Sequence, residues 1–215
     1  MMRNHFDEHG FVRLDGAFAE HAPAMADALW AELRRVHGID RARRETWTVV
    51  EPRGLGALRR KGAFDAIATP AVRAAMRKLA GDVPAPFSWG DPLVTFPTPG
   101  AWRVPETGWH LDFPARSNLR LMWLGFLEPV GPGGGGTVVL PGSHRAVAAE
   151  LVRRDPADAG RSADLRGAVV TTVDGAVEVT GEPGDVVFLH PHLFHAPAPN
   201  HGSRPRLMVT GGSAG

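Results

Sequence analysis

The chain is expected to fold as a mainly β protein with N-terminal helices, a sandwich or jelly roll carrying its helices on one face. Three observations lead there. Apolar residues recur at helical spacing before about residue 84, and after it they fall into short runs broken by Pro and Gly. No helix alternates with those later runs, which disfavours a parallel α/β sheet. Taken in order, "NHFDEHG" opens as a short helix. "HAPAMADALWAELRRVHG" carries Met25, Leu29, Leu33 and Val36 on one helical stripe. Residues 40–44 read as a connector, and "PAVRAAMRKLAG" is a second long helix with Pro70 at its start and Gly81 at its end. Seven runs then read as strands: "PLVTF", "LRLMWLGFL", "TVVL", "GAVVTTV", "AVEVT", "DVVFL" and "PRLMVT". Asp174-Gly175, between two of them, is a hairpin turn signal. The 215 residues suit one domain, mostly helical over 1–83 with a β core over 84–215.

Composition narrows the functions available. The net charge of +1 points to neither a nucleic-acid nor a membrane partner. There are no cysteines, which excludes disulfides, thiolate metal sites, iron–sulfur clusters and Cys nucleophiles. The opening "MMRNHFDEHGFVRLDG" has no apolar signal-like core, so a cytoplasmic location is expected. Four consecutive glycines in "VGPGGGGTVVLPGSH" invite a phosphate-loop reading, but that motif needs Gly-Lys-Ser/Thr opening a helix. Here the run leads into a strand without Lys, so a flexible loop or a tight turn is expected.

Two His-X-Asp triplets are present, His5-Phe6-Asp7 and His110-Leu111-Asp112. Residues two apart diverge on a helix but share one face of a strand. The first triplet lies in a helix and reads as solvated polar residues. The second lies in the β-rich part, so His110 and Asp112 can converge on one ion. A further histidine would complete two imidazoles and one carboxylate, a donor set suited to non-haem Fe(II) oxygenases. The crowded stretch "HPHLFHAPAPNHGSRPR" offers His190, His192, His195 and His201.

The motifs "WHLD", "PGSH" and "GDVVFLHPHLFHAPAPN…RPR", in this order, resemble the phytanoyl-CoA dioxygenase family of Fe(II)/2-oxoglutarate-dependent oxygenases, over roughly residues 85–212. The resemblance implies a double-stranded β-helix (jelly roll, cupin-like) and selects His195 as the third metal ligand beside His110 and Asp112. Asn200 matches the family's Asn, and Arg206 matches the arginine that holds oxoglutarate. A guanidinium suits that role because it meets a carboxylate with two parallel hydrogen bonds. Arg206 is expected on a strand pairing beside the one that ends at His195, with Arg204 in the turn. The expected cofactors are Fe(II) and 2-oxoglutarate as co-substrate, with dioxygen and a small-molecule substrate as partners. The expected reaction oxidises an unactivated C–H, with succinate and CO2 as co-products.

Trp109, Phe113 and Phe194 flank the expected ligands and are candidate walls of the substrate pocket. Thr95 and Thr98 are candidate co-substrate contacts, and loops 41–62 and 101–108 are candidate lids. His190 reads as a residue at the edge of the core, His192 and His201 as surface residues, and His144 as a loop residue in a Pro-Gly turn. Two other readings stay open: a metal-dependent cupin-like enzyme that does not use 2-oxoglutarate, and a non-catalytic jelly-roll binding module.

Overall fold

The computed structural model describes residues 1–82 and 88–214, and the expected boundary at 83/84 lies outside the described residues. The N-terminal portion holds helices α1 (Met2–His9), α2 (Ala22–His37), α3 (Ala57–Arg60) and α4 (Pro70–Ala80), with strand β1 (Phe11–Leu14) after the first. The ends of these helices follow from local chemistry. Gly38 closes α2 with φ 69°, a left-handed conformation in which its N–H reaches the Arg34 carbonyl. Thr69 caps α4, its hydroxyl accepting from Val72 N at 3.2 Å ahead of Pro70.

The remaining strands are β2 (Ser88–Thr95), β3 (Leu119–Phe126), β4 (Val138–Val139), β5 (Val177–Glu178), β6 (Val186–Leu189), β7 (His195–Ala196) and β8 (Arg206–Ala214). Helices α5 (Ser143–Arg153) and α6 (Ser162–Val169) lie between β4 and β5. A five-stranded sheet runs β1-β6-β3-β8-β2 and a three-stranded sheet runs β5-β4-β7, with antiparallel pairing throughout. The two sheets face each other in a jelly roll.

Strand alternation sorts the core into three layers. On β3, Leu121 and Trp123 face the helices, where they pack with Leu29, Leu33, Phe188 and Val209. Met122, Leu124 and Phe126 face inward and meet Val139 of the small sheet and Val179 just after β5. Behind the small sheet, Val138, Phe194 and Ala196 pack against Val147 of α5 and Leu165 of α6. Trp123 and Phe188 are wholly buried, and each such side chain contributes about 1.5–3 kcal/mol to folding.

Three expectations are corrected. "GAVVTTV" is not a strand: its first residues complete α6, anchored by buried Leu165 and by the Arg161–Asp164 ion pair at 3.0 Å. Asp174-Gly175 is therefore the turn into β5 rather than a hairpin between two strands, with Gly175 at φ 77°. Arg206 does not pair beside the His195 strand. Its strand β8 pairs with β2 and β3, so the arginine looks at His195 across the gap between the sheets. No helix among the described residues is long and apolar enough to cross a membrane.

Candidate active site

His195 sits on β7, and His110 reaches it through an isolated antiparallel bridge, with His110 N donating to His195 O at 2.9 Å. That pairing carries the small sheet's face forward to Asp112, two residues on. One donor atom from each of His110, Asp112 and His195 lies within 4.8 Å of the others. The His110 Nε2 to Asp112 Oδ1 distance is 3.3 Å, and His195 Nε2 to Asp112 Oδ2 is 3.6 Å.

The backbone sets both imidazoles. His110 Nδ1 lies 2.8 Å from Gly108 O and His195 Nδ1 lies 3.0 Å from Leu193 O. A carbonyl only accepts, so each Nδ1 carries the proton and each Nε2 is left basic and aimed at the carboxylate. Burial works to raise the Asp112 pKa, but hydrogen bonds and charge from His110 and His195 outweigh it and hold the carboxyl well below its usual range. The Asp112 hydrogen bond in turn raises His110, against burial. Two imidazole nitrogens and a carboxylate oxygen on one side of a point, with cavity on the other, suit a metal that needs open positions.

A cavity of about 490 Å³ opens from the triad, and His110, Asp112, His195 and Arg206 all line it. Leu93, Met122, Leu124 and Leu189 form apolar wall, Thr137 and Thr210 add hydroxyls, and residues 51–56 close one side. Arg206 is 7% exposed; its Nη1 donates to Gly135 O at 2.7 Å, and its Nε has no partner among the described residues. Burial lowers its pKa to about 10, with the Glu51 and Glu178 carboxylates working the other way. A buried guanidinium with donors left over, across from a metal-type triad, fits a bidentate organic acid spanning the two.

The expected pocket walls are corrected. Trp109 and Phe194 are buried behind the small sheet, and Phe113 is 43% exposed outside the cavity lining. The reason is the alternation that brought the three donor side chains together: it turns the neighbours of His110, Asp112 and His195 away from the cavity. Met122, Leu124 and Leu189 take that role instead, and the alternation within "LRLMWLGFL" and "DVVFL" was the signal for them.

Thr98 is also removed from the candidates, because its hydroxyl donates to Asn200 O at 3.3 Å, and Thr95 is not part of the lining. Asn200 is fully buried and staples the approach to β8, its Nδ2 donating to Thr95 O and Arg204 O. Of the candidate lids, only residues 51–56 line the cavity. Buried Leu55 and the bond from Phe96 N to Val50 O tie them down as wall.

The other histidines stand apart from the triad. His5 and Asp7 lie on α1, exposed. His144 opens α5 rather than a loop, and its Nε2 donates to Asp7 O at 3.1 Å. His192 is half-buried rather than at the surface, its Nε2 donating to Ala115 O at 2.7 Å. His201 holds Thr98 O at 2.9 Å. His190 accepts from His192 N and stacks near His144 and Phe6.

Comparison with known proteins agrees with this geometry. Solved structures share the fold across nearly the whole chain. The epimerase SnoN, in complex with Fe3+, alpha ketoglutarate and nogalamycin RO, is 22% identical with a TM-score of 0.64, over 99% of this chain and 82% of its own. The carbocyclase SnoK from nogalamycin biosynthesis is 22% identical with a TM-score of 0.59, over 99% and 82%. HygX from Streptomyces hygroscopicus, with nickel and 2-oxoglutarate bound, is 18% identical with a TM-score of 0.59, over 100% and 87%. No curated protein matches the sequence significantly. The family model for phytanoyl-CoA dioxygenase (PhyH) matches residues 6–208. The chain belongs to the phytanoyl-CoA dioxygenase family of Fe(II)/2-oxoglutarate-dependent oxygenases.

Proposed function

We propose that the enzyme couples oxidative decarboxylation of 2-oxoglutarate to oxidation of an unactivated C–H, most simply hydroxylation, on a small metabolite or natural-product intermediate. The observation that carries this is the convergence of the His110–Asp112–His195 triad and the buried Arg206 guanidinium on one cavity from opposite sheets. His110 Nε2, His195 Nε2 and the Asp112 carboxylate hold the iron. Arg206 receives the far carboxylate of oxoglutarate with the N–H groups that Gly135 leaves free. Bound iron with oxoglutarate and dioxygen supplies the oxidising power, with succinate and CO2 as co-products.

The chain's own residues do the rest. Gly108 O and Leu193 O keep both ligand imidazoles in one tautomer, and Asp112 stays ionised between them. Leu93, Met122, Leu124 and Leu189 exclude water and set the shape against which an apolar substrate body rests. The cavity volume suits a compact small molecule. Similar folds serve nogalamycin biosynthesis in SnoN and SnoK, which supports a natural-product substrate.

Anaerobic titration with Fe(II) and oxoglutarate tests the reading. A weak visible charge-transfer band that needs both additions is expected. Iron binding with no oxoglutarate-dependent band would return the site to a cupin-like enzyme without oxoglutarate, and no iron binding would leave a non-catalytic module.

A further inference from the structure

We infer that Glu178, on the edge strand β5 and outside the cavity, positions Arg206 for oxoglutarate by locking the glycine loop 131–136. The inference rests on the reading of Arg206 given above. The Glu178 carboxylate spans the loop: Oε2 accepts from Gly133 N at 2.7 Å and Oε1 from Gly136 N at 2.9 Å. Between those two amides the Gly135 carbonyl turns the other way and accepts from Arg206 Nη1 at 2.7 Å. The path from Glu178 to the guanidinium is therefore one charge-assisted hydrogen bond to Gly136 N, the 135–136 peptide unit and the Gly135 O bond to Arg206, with the Gly133 bond a second grip on the same loop.

The glycines are required by this arrangement. Gly133 and Gly135 adopt φ of 75° and 79°, a region that disfavours other residues. A Cβ on Gly136 would lie 2.2 Å from Val179 O, and one on Gly135 would lie 2.9 Å from Asn200 Cβ. Such a run is also the most conformationally free segment a chain can have, so it cannot by itself present one carbonyl in one direction. Neighbouring backbone supplies part of the order: His201 N donates to Gly133 O, Gly134 pairs with Asn200, and Val179 N donates to Thr137 O. These fix the outer edge of the loop. Glu178 is the side chain that grips it on both sides of Gly135.

Releasing the loop frees the Gly135 carbonyl to rotate and lets the guanidinium leave the orientation in which its remaining donors face the cavity. Oxoglutarate affinity should then fall while the metal ligands, held by Gly108 and Leu193 on other segments, stay in place. The experiment uses the full chain loaded anaerobically with Mn(II), with oxoglutarate binding followed by calorimetry. Glu178→Ala and the near-isosteric Glu178→Gln, whose amide NH2 would face a loop N–H, are expected to weaken oxoglutarate by about 10- to 100-fold, as loss of an orienting partner does elsewhere. Mn(II) affinity should stay within about twofold, and the Gly133 and Gly136 amides should lose hydrogen-exchange protection in the same variants.

If both Glu178 variants bind oxoglutarate as wild type does while Arg206→Ala loses it, the inference is overturned and the proposed function stands. If Arg206→Ala also binds as wild type does, the proposed function falls first. Equal weakening of Mn(II) and oxoglutarate would mean general loosening and would also overturn the positioning role. Should Glu178→Ala fail to fold, Glu178→Gln decides.

Discussion

Replacing Arg206 with Ala gives the most direct test of the co-substrate site. The residue is 7% exposed, with one N–H on Gly135 O and its Nε unpaired among the described residues. Burial already pulls its pKa down to about 10, the mark of a charge with few partners in a poorly solvated place. On the proposed reading, an oxoglutarate carboxylate would relieve that by supplying a bidentate partner. Removing the arginine leaves the carboxylate to be desolvated alone, which costs on the order of 2–5 kcal/mol, or about 30- to several-thousand-fold in oxoglutarate affinity. Arg206→Lys should also bind weakly, because an ammonium cannot reproduce the fork. Arg204→Ala is the matched control: its side chain is exposed, and its backbone carbonyl, which the substitution keeps, accepts from Asn200. The assay is anaerobic oxoglutarate binding to the Fe(II)- or Mn(II)-loaded protein, with metal affinity measured in parallel and expected unchanged. Wild-type oxoglutarate affinity in Arg206→Ala would refute the reasoning, and loss in Arg204→Ala instead would move the role to the wrong side of Pro205.

Asp112→Ala should lose iron and succinate formation together, since it removes the carboxylate of the proposed ligand set, whereas Asp7→Ala on α1 should retain both; iron content of the purified variants decides. Phe113→Ala should leave oxoglutarate binding unchanged, because that ring lies outside the cavity lining, and calorimetry would show otherwise. Ser143→Ala removes the hydroxyl that accepts from Phe194 N at 2.9 Å and should cost about 1–3 kcal/mol in urea unfolding, the penalty of an unpaired buried amide. His190 is pulled down to about 3 by burial, with His192 and His144 adding to the effect. Its folded pKa is below the unfolded value, so the stability it contributes is complete above about pH 6.5 and is lost as pH falls from there toward 3. Between pH 6.5 and 5 the wild type should lose about 2 kcal/mol relative to His190→Asn, at most, in denaturant unfolding; parallel curves for the two proteins would contradict this.

Much of the metal-type site was legible in the chain because it depends on a local rule. His110 sits at an isolated bridge with Asp112 at a bend two residues on, and a spacing of two in the β-rich part is the local signal that its outer members can share one face. Helices α2 and α4 were legible for a similar reason, through apolar stripes and Pro/Gly punctuation within a single window. The choice of His195 among four nearby histidines was not local and came from a family resemblance. Geometrically it depends on the bridge between residues 110 and 195, a pairing 85 positions apart.

Where the reading failed, a distant partner was decisive. The apolar run at 167–173 has the composition of a strand, but β4 already takes β5 and β7 as neighbours, so its first residues continue a helix packed over Leu165. Trp109, Phe113 and Phe194 were placed in the pocket by proximity in sequence, and the same alternation that aligned the ligands turned them away. Arg206 could be named from its motif, yet which wall it occupies was decided by β8 pairing with β2 and β3. The glycine run gave no hint of order, because its order comes from a carboxylate some forty residues downstream that β4–β5 pairing brings to it. Local periodicity, fixed by bond geometry, settles which side chains share a face; which faces meet is settled by long-range burial and strand pairing, and those exist only in the folded chain.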